Sequence, residues 1–231
     1  MIHLRSILFY LGEGLSTIPF LIIALLALAF PPKLRSRLIS GWAVFVIWWL
    51  KLTCGLKHEI INPENILEEP CVFAANHSST WEAISSQIFL PTLAWVLKKE
   101  LLKIPIFGWG LWATGPIAID RNDRTTALDQ VINQGIKKFS EGRHVLIFPE
   151  GTRVSYGKIG RYKAGAAKLA RAGNVPIVPI AHNAGKYWSK DSWLIKPGTI
   201  QCIIGPAIYS DDKSDSEVMR EVKEWITSQQ L

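Results

Sequence analysis

The chain is poor in cysteine: Cys54, Cys71 and Cys202 are the only three in 231 residues. They lie far apart and form no C-x-x-C, which excludes a disulfide framework and a cysteine zinc site and fits small apolar side chains in a reducing compartment. No group of histidine, cysteine and acidic residues has metal-ligand spacing, so no metal is expected. There is no run of five or more Lys/Arg and no zinc-finger or RNA-binding signature, which argues against nucleic acid as a partner. G-x-S-x-G is missing, and with it the nucleophile elbow of a serine esterase. Internal repeats and long linkers are absent as well.

Apolar surface and positive charge are abundant instead. The chain is 48% hydrophobic with ten tryptophans, a mean hydropathy of +0.17, a net charge of +7 and a pI of about 9.4. That balance favours an anionic membrane surface. LSTIPFLIIALLALAF (15–30) and LISGWAVFVIWWL (38–50) are nearly all apolar, and the joint between them carries Lys33, Arg35 and Arg37. A second apolar run follows the first at once, and no small-residue cleavage site stands after Phe30, so a signal peptide fits poorly. The first run reaches back toward Ile7 past Gly12, Glu13 and Gly14 and comes near the roughly 20 residues that a span needs; the second is shorter. Two readings stay open: one tilted span followed by an interfacial helix, or a helical hairpin dipping into one leaflet. Trp42, Trp48 and Trp49 and the basic joint suit an interface. A hairpin buried within a soluble fold is the competing reading.

From about residue 57 the texture is globular α/β. Apolar strands are expected at 71–75, 93–97, 116–120, 144–148, 176–181 and 199–204. Helical patterns alternate with them. One runs from about Thr125 to Ser140 with Leu128, Ile132, Ile136 and Phe139 on one face; one runs from about Tyr162 to Ala172 and stops at Gly173; one begins near Ser214 with Val218, Val222, Trp225 and Ile226 in phase. The fold class is α/β, a mixed, largely parallel sheet flanked by helices, preceded by a membrane-associating helical hairpin. The one boundary falls near residue 55.

Four segments carry chemistry. NHSSTWE (76–82) sets His77 five residues before Glu82. On a regular helix i and i+5 lie about 140° apart, so the pair meets only if His77 precedes the helix and the chain turns between them. GPIAIDR (115–121) ends an apolar strand with Asp120 and Arg121. FPEGTR (148–153) runs out of another strand with Glu150, Gly151, Thr152 and Arg153, and VPIVPIAHNAG (175–185) is an apolar strand with two prolines. Ligand groups gather where strands of such sheets end, which points to one shared crevice.

In this order, over most of residues 55–210, the four blocks resemble the 1-acyl-sn-glycerol-3-phosphate acyltransferase family. That family has N-H-x4-D, a G-x-I-x-I-D-R-like block, F-P-E-G-T-R (here verbatim) and an apolar V-P-I-V-P strand. KKELLKIPIFGWG (98–110) resembles its K-x-E-L segment. The departure is Glu82, where the family has aspartate. The resemblance implies a glycerolphosphate acyltransferase-like domain over 56–231 behind a membrane segment over 1–55. It implies transfer of an acyl group from acyl-CoA or acyl-carrier protein to the sn-2 hydroxyl of 1-acyl-sn-glycerol-3-phosphate, giving phosphatidic acid. His77 is then the general base and Glu82 its orienting acid. Arg121, Arg153 and Lys98 meet the phosphate, and Glu150, Gly151 and Thr152 bind the acceptor. The thioester is a co-substrate, and no cofactor is expected. Partners are the lysophospholipid, the thioester and membrane lipids, at the cytoplasmic face of a bacterial inner membrane. Another lysolipid (such as a lyso-ornithine lipid) or glycerol 3-phosphate as acceptor, a noncatalytic membrane lipid-binding protein, and a hydrolase using the same pair are the alternatives. Ser78, Ser79 and Thr80 read as helix-capping groups, Arg124, Arg161 and Lys163 as facing solvent or lipid, and His182 as the end of a strand, with a place in the crevice as the alternative.

Overall fold

The computed structural model describes residues 1–120, 126–229 and 231, with the backbone alone at Lys33. Seven strands form one sheet: β1 (Leu56–Ile61), β2 (Val72–Ala75), β3 (Leu93–Lys98), β4 (Ile117–Ile119), β5 (His144–Ile147), β6 (Ile177–His182) and β7 (Gly198–Ile204). Their order is β1-β7-β6-β2-β5-β3-β4, and every neighbouring pair is parallel except β6 with β7. All six strands expected from apolar runs form. The strand that the apolar runs do not reveal is β1, LKHEII, which sits at the sheet edge beside β7 with Lys57 and Glu59 exposed. An edge strand with one wet face needs no continuous apolar run.

Side-chain alternation divides the interior into two layers. Phe73, Ala75, Leu146, Val178 and Ile180 face one side, where they meet α1 (Ile2–Leu26), α2 (Pro32–Cys54) and α3 (Trp81–Phe89) through Phe9, Val46, Leu50, Trp81 and Ile84. Val72, Ala74, Val145, Ile147, Ile177 and Ala181 face the other. After α4 (Phe107–Ala113), which packs against α1, come α5 (Ala127–Ser140), α6 (Gly165–Gly173) and α7 (Asp215–Ser228), which cover this second face. α5 and α6 approach closely because Gly135 has no Cβ; one built there would fall 2.5 Å from the Leu169 side chain. α7 starts at a capping box, in which Ser214 and Glu217 satisfy each other's backbone N–H. Arg143 is buried at the opposite end of the sheet from the strand termini that carry the motifs. It donates to the carbonyls of Leu93, of Thr114 (2.9 Å) and of Gly115 (3.2 Å), pinning the turn before β4. All three cysteines are free and buried.

The two N-terminal helices extend well beyond the apolar runs that announced them. Ile2–Ala29 and Leu34–Cys54 are each long and apolar enough to cross a membrane, with mean hydropathy 2.0 and 1.3. Yet α1 is packed along one flank from end to end. Ser6 Oγ accepts the Ile195 N–H at 3.0 Å, the Phe9 ring meets Trp188 at 5.2 Å, Trp42 Nε1 donates to Ser16 Oγ at 3.0 Å, and Ala24 and Ala27 pack with Ile39 and Ala113. The opposite flank leaves Leu4, Ile7, Leu8, Leu11, Leu15, Ile18 and Ile22 exposed. So extensive a bare apolar surface fits membrane association.

Candidate active site

The site is assembled where β2 and β5 end. Asn76 is the first residue past β2, and its side-chain amide locks that end to β6: Nδ2 donates to the His182 carbonyl and Oδ1 accepts the His182 N–H, both at 3.0 Å. His77 follows, outside any helix, and α3 starts four residues later at Trp81. The chain doubles back between them, as the five-residue spacing requires. His77 Nδ1 lies 2.9 Å from Glu82 Oε1, which also accepts the N–H groups of Ser78 and Ser79 at 2.8 Å each. Ser79 Oγ accepts the Trp81 N–H at 3.1 Å within the turn that enters α3, whose N-cap Thr80 makes no side-chain capping bond, while Ser78 Oγ accepts the Gly185 N–H at 3.2 Å and ties the loop to the chain beyond β6.

A second loop, FPEGTR, is latched to the first. The His77 N–H donates to Glu150 Oε2 at 2.6 Å, and the Val154 N–H donates to the His77 carbonyl at 2.7 Å. The Phe148 ring stacks on the imidazole with centroids 4.0 Å apart and planes 12° apart. These contacts leave His77 one orientation. Its side chain is 18% exposed against 4% for Glu82, so the histidine reaches a cavity and the acid stands behind it.

Burial works against charge on Glu82, but His182, His77 and the Ser79 N–H outweigh it and hold the carboxyl below its ordinary pKa. Since Oε1 is filled with donors, His77 Nδ1 must carry its hydrogen toward it, and Nε2 is then the bare nitrogen. Behind the pair, His182 is buried and its pKa is pushed down chiefly by that burial. Its Nε2–H donates to the Asn76 carbonyl at 2.7 Å, and its Nδ1 accepts the Ala184 N–H at 3.3 Å, the neutral tautomer. Burial also pushes Glu150 up, to about 7, against the pull of the His77 N–H.

His77 opens onto a cavity of about 1160 Å³, larger than the roughly 300–1,000 Å³ that houses drug-sized ligands. Lys98, Gly151, Thr152, Arg153 and Lys163 line its polar part, and Leu21, Ala24, Trp42, Phe107 and Leu111 an apolar arm between the N-terminal helices and α4. From Gly151 to Lys190 there is no acidic residue, and Arg153, Lys158, Arg161, Lys163, Lys168, Arg171, Lys186 and Lys190 are eight cations. With 26 cations and 19 acids in all, the remainder holds 26 − 8 = 18 cations against 19 acids, so the whole net charge of +7 resides in this stretch.

Of the residues expected at the site, His77, Lys98, Gly151, Thr152 and Arg153 share the cavity wall. Glu82 and Glu150 lie behind His77, Glu150 bonded to its backbone rather than open to the cavity. Lys98 pairs with Glu100 at 3.5 Å. Arg121, like Arg124, lies outside the described residues. Lys163 is exposed, as expected, and also lines the cavity, where it lies against Gly151. Gly151 has φ +70°, and a Cβ there would come 2.8 Å from Lys163 Nζ, so glycine makes both the turn and the room for the lysine. Asn76 and Phe148 are contributors that sequence reasoning did not single out, and His182, read as the end of a strand, stands behind the pair. Their signal was weak: Asn76 and His182 are polar residues at the ends of two buried apolar strands. Among the described residues no group of three acidic, histidine or cysteine side chains is arranged to hold a metal ion.

A histidine–acid pair at the strand ends of a mixed α/β sheet, facing a cavity part cationic and part apolar, is an arrangement suited to acyl transfer. Comparison with known proteins carries the assignment further. The sequence model of the Acyltransferase family matches residues 57–183. The 1-acyl-sn-glycerol-3-phosphate acyltransferase of Pseudomonas aeruginosa is 40% identical over 233 residues, 97% of this chain and 89% of that one. The protein so described from Escherichia coli is 39% identical over 129 residues, 54% of this chain and 52% of its own. The crystal structure of the 1-acyl-sn-glycerophosphate (LPA) acyltransferase from Thermotoga maritima superposes with a TM-score of 0.79 at 21% identity, over 98% of this chain and 95% of the other, a likeness of fold. The chain belongs to the Acyltransferase family.

Proposed function

We propose that the protein transfers an acyl group from an acyl thioester, acyl-CoA or acyl-carrier protein, to the sn-2 hydroxyl of 1-acyl-sn-glycerol-3-phosphate. The observation that carries this reading is the fixed hydrogen-bond set on Glu82 Oε1, which leaves His77 Nε2 bare and facing the cavity. An alcohol is a weak nucleophile at neutral pH and needs such a base. His77 Nε2 takes the hydroxyl proton as the oxygen attacks the thioester carbonyl, and Glu82 stabilises the imidazolium that forms. The tetrahedral oxyanion collapses, the C–S bond breaks with its electron pair on sulfur, and the imidazolium returns the proton to the thiolate. Products are the diacyl phosphate and a free thiol. Arg153 and Lys163 are the cations on the cavity wall suited to the acceptor phosphate, with Lys98 beside them.

Residues 56–231 carry the chemistry and residues 1–55 the attachment, with α1 lending a cavity wall. Because α1 is bonded to the catalytic part along one flank, the hairpin fits a docking into one leaflet with its bare flank in lipid. The cytoplasmic face of a bacterial inner membrane suits free cysteines and intracellular thioesters. The test supplies detergent-solubilised protein with labelled thioester and lysophosphatidic acid. Labelled phosphatidic acid should form and fall by about 10²–10⁴-fold in His77→Ala. Comparable product from that variant overturns the base assignment, and free fatty acid as the main product would identify a hydrolase.

A further inference from the structure

Between β3 and β4 the chain exposes apolar side chains that the fold itself does not use. Within nine residues Ile104 (43%), Phe107 (39%), Trp109 (53%) and Trp112 (56%) are open to the outside. At Ile106 the chain turns with φ 66°, a conformation that a β-branched residue rarely adopts, and α4 follows at once. α4 is two-sided. Phe107, Gly110 and Leu111 line the apolar arm of the cavity, whereas Trp109 and Trp112 point away from it. The segment continues the bare surface of the N-terminal helices: the Phe107 ring lies 6.2 Å from Trp42 of α2, and a Cβ at Gly110 would touch Leu21 of α1 at 4.0 Å. Exposed Lys99 and Lys103 precede it, while the nearby Glu100 pairs with Lys98.

We infer that residues 101–112 form a third membrane-docking element, the lip of a lateral opening between α1 and α4 through which a lipid acceptor passes from the leaflet into the cavity. The occupant is a bilayer surface, for three reasons. The patch is continuous with the apolar flank of α1. Its outward residues are the indole rings and lysines that settle at headgroup depth. Its inward residues line a cavity, so the same element touches lipid on one side and bound chain on the other. The kinetic arm below rests on the lysolipid reading given above; the labelling arm does not.

The three native cysteines are buried, so Trp109→Cys and, as a control on exposed α7, Thr227→Cys each take one fluorophore on the full chain reconstituted into phosphatidylcholine–phosphatidylglycerol vesicles. Nitroxide lipids should quench the label at 109 and leave that at 227 unchanged, with aqueous iodide giving the reverse. Iodide quenching at 109 equal to that at 227 overturns the inference. So does a label shielded from iodide but untouched by nitroxide lipid, which would mean a protein partner. In kinetics, Trp109→Ser/Trp112→Ser should raise the KM for lysophosphatidic acid presented in vesicles by at least about tenfold. The KM for a short-chain acceptor dissolved as monomer should not move. An equal change for both acceptors refutes the lip. Absence of transfer by the unaltered protein refutes the proposed function and leaves the labelling result to decide the docking.

Discussion

Glu82→Gln separates the charge behind His77 from its shape. The amide oxygen can take the place of Oε1 and still accept from Ser78, Ser79 and His77 Nδ1, which stand at 2.8, 2.8 and 2.9 Å. The tautomer and the loop therefore survive, and only the anion is lost. A hydrogen bond to a charged group is worth about 1.5–3 kcal/mol, which at about 1.36 kcal/mol per decade is a fall in kcat of about 10- to 150-fold. The acceptor KM should stay put, because Glu82 does not reach the cavity. Initial rates with a labelled thioester measure this, with thermal unfolding to verify the fold. The carboxyl's folded pKa is depressed, so its contribution to stability is present above the ordinary value and lost as pH falls below that value through the depressed one. The glutamine variant should accordingly be less acid-labile than the parent. A kcat within about twofold of the parent would refute the role of the anion. Glu82→Asp tests reach: it keeps the charge but draws the carboxylate back by about 1.5 Å, one C–C bond. It should lose both rate and stability, and a fully active aspartate variant would sink the idea that this loop is built around the longer acid.

Arg153→Ala should raise the KM for the phosphate-bearing acceptor by about 10- to 100-fold and leave the thioester KM alone; movement of the thioester KM alone would reassign this cation. Glu150→Gln should flatten the pH dependence of stability. The folded carboxyl is pushed up to about 7, so the stability it contributes is present at acid pH and lost as pH rises through that value. Thermal melts from about pH 4.5 to about pH 7 should show the decline in the parent and not in the variant. Arg143→Met leaves the carbonyls of Leu93, Thr114 and Gly115 without their donor. At about 1–3 kcal/mol for each buried acceptor left bare, urea unfolding should show a loss of at least about 3 kcal/mol, with kcat per folded molecule unchanged.

What the sequence announced, and what it hid, follows from the range of each signal. Apolar runs mark a strand that is buried on both faces, so β2, β5 and β6 were legible; β1, with Lys57 and Glu59 turned outward, was not. The meeting of His77 and Glu82 was legible because only five residues separate them, and helix geometry admits one way for them to touch. Glu150 was visible as a strand-end acid, but its partner, the His77 backbone N–H, is 73 residues away. No local pattern encodes whether such a carboxylate faces the cavity or the loop behind it. That Lys163, exposed as expected, also lines the cavity was hidden for a related reason: it lies against Gly151, a contact made by a turn rather than by periodicity.

The hairpin shows why a composition boundary at residue 55 does not separate two independent units. Phe9, Val46 and Leu50 are wholly buried in the same layer as Phe73, Leu146 and Val178. Full burial of such side chains is worth about 1.5–3 kcal/mol each, so these three hold several kcal/mol that an isolated residue 56–231 chain would forfeit, against a total stability of about 5–15 kcal/mol for a typical domain. The same α1 that supplies Phe9 to the core also supplies Thr17, Phe20, Leu21 and Ala24 to the cavity wall and Leu11, Leu15 and Ile18 to the bare flank. One helix thus stands in the core, at the cavity wall and on the bare apolar flank. With the flank docked in a bilayer as proposed, any shift of its depth would move a wall of the cavity, which would couple attachment to catalysis mechanically.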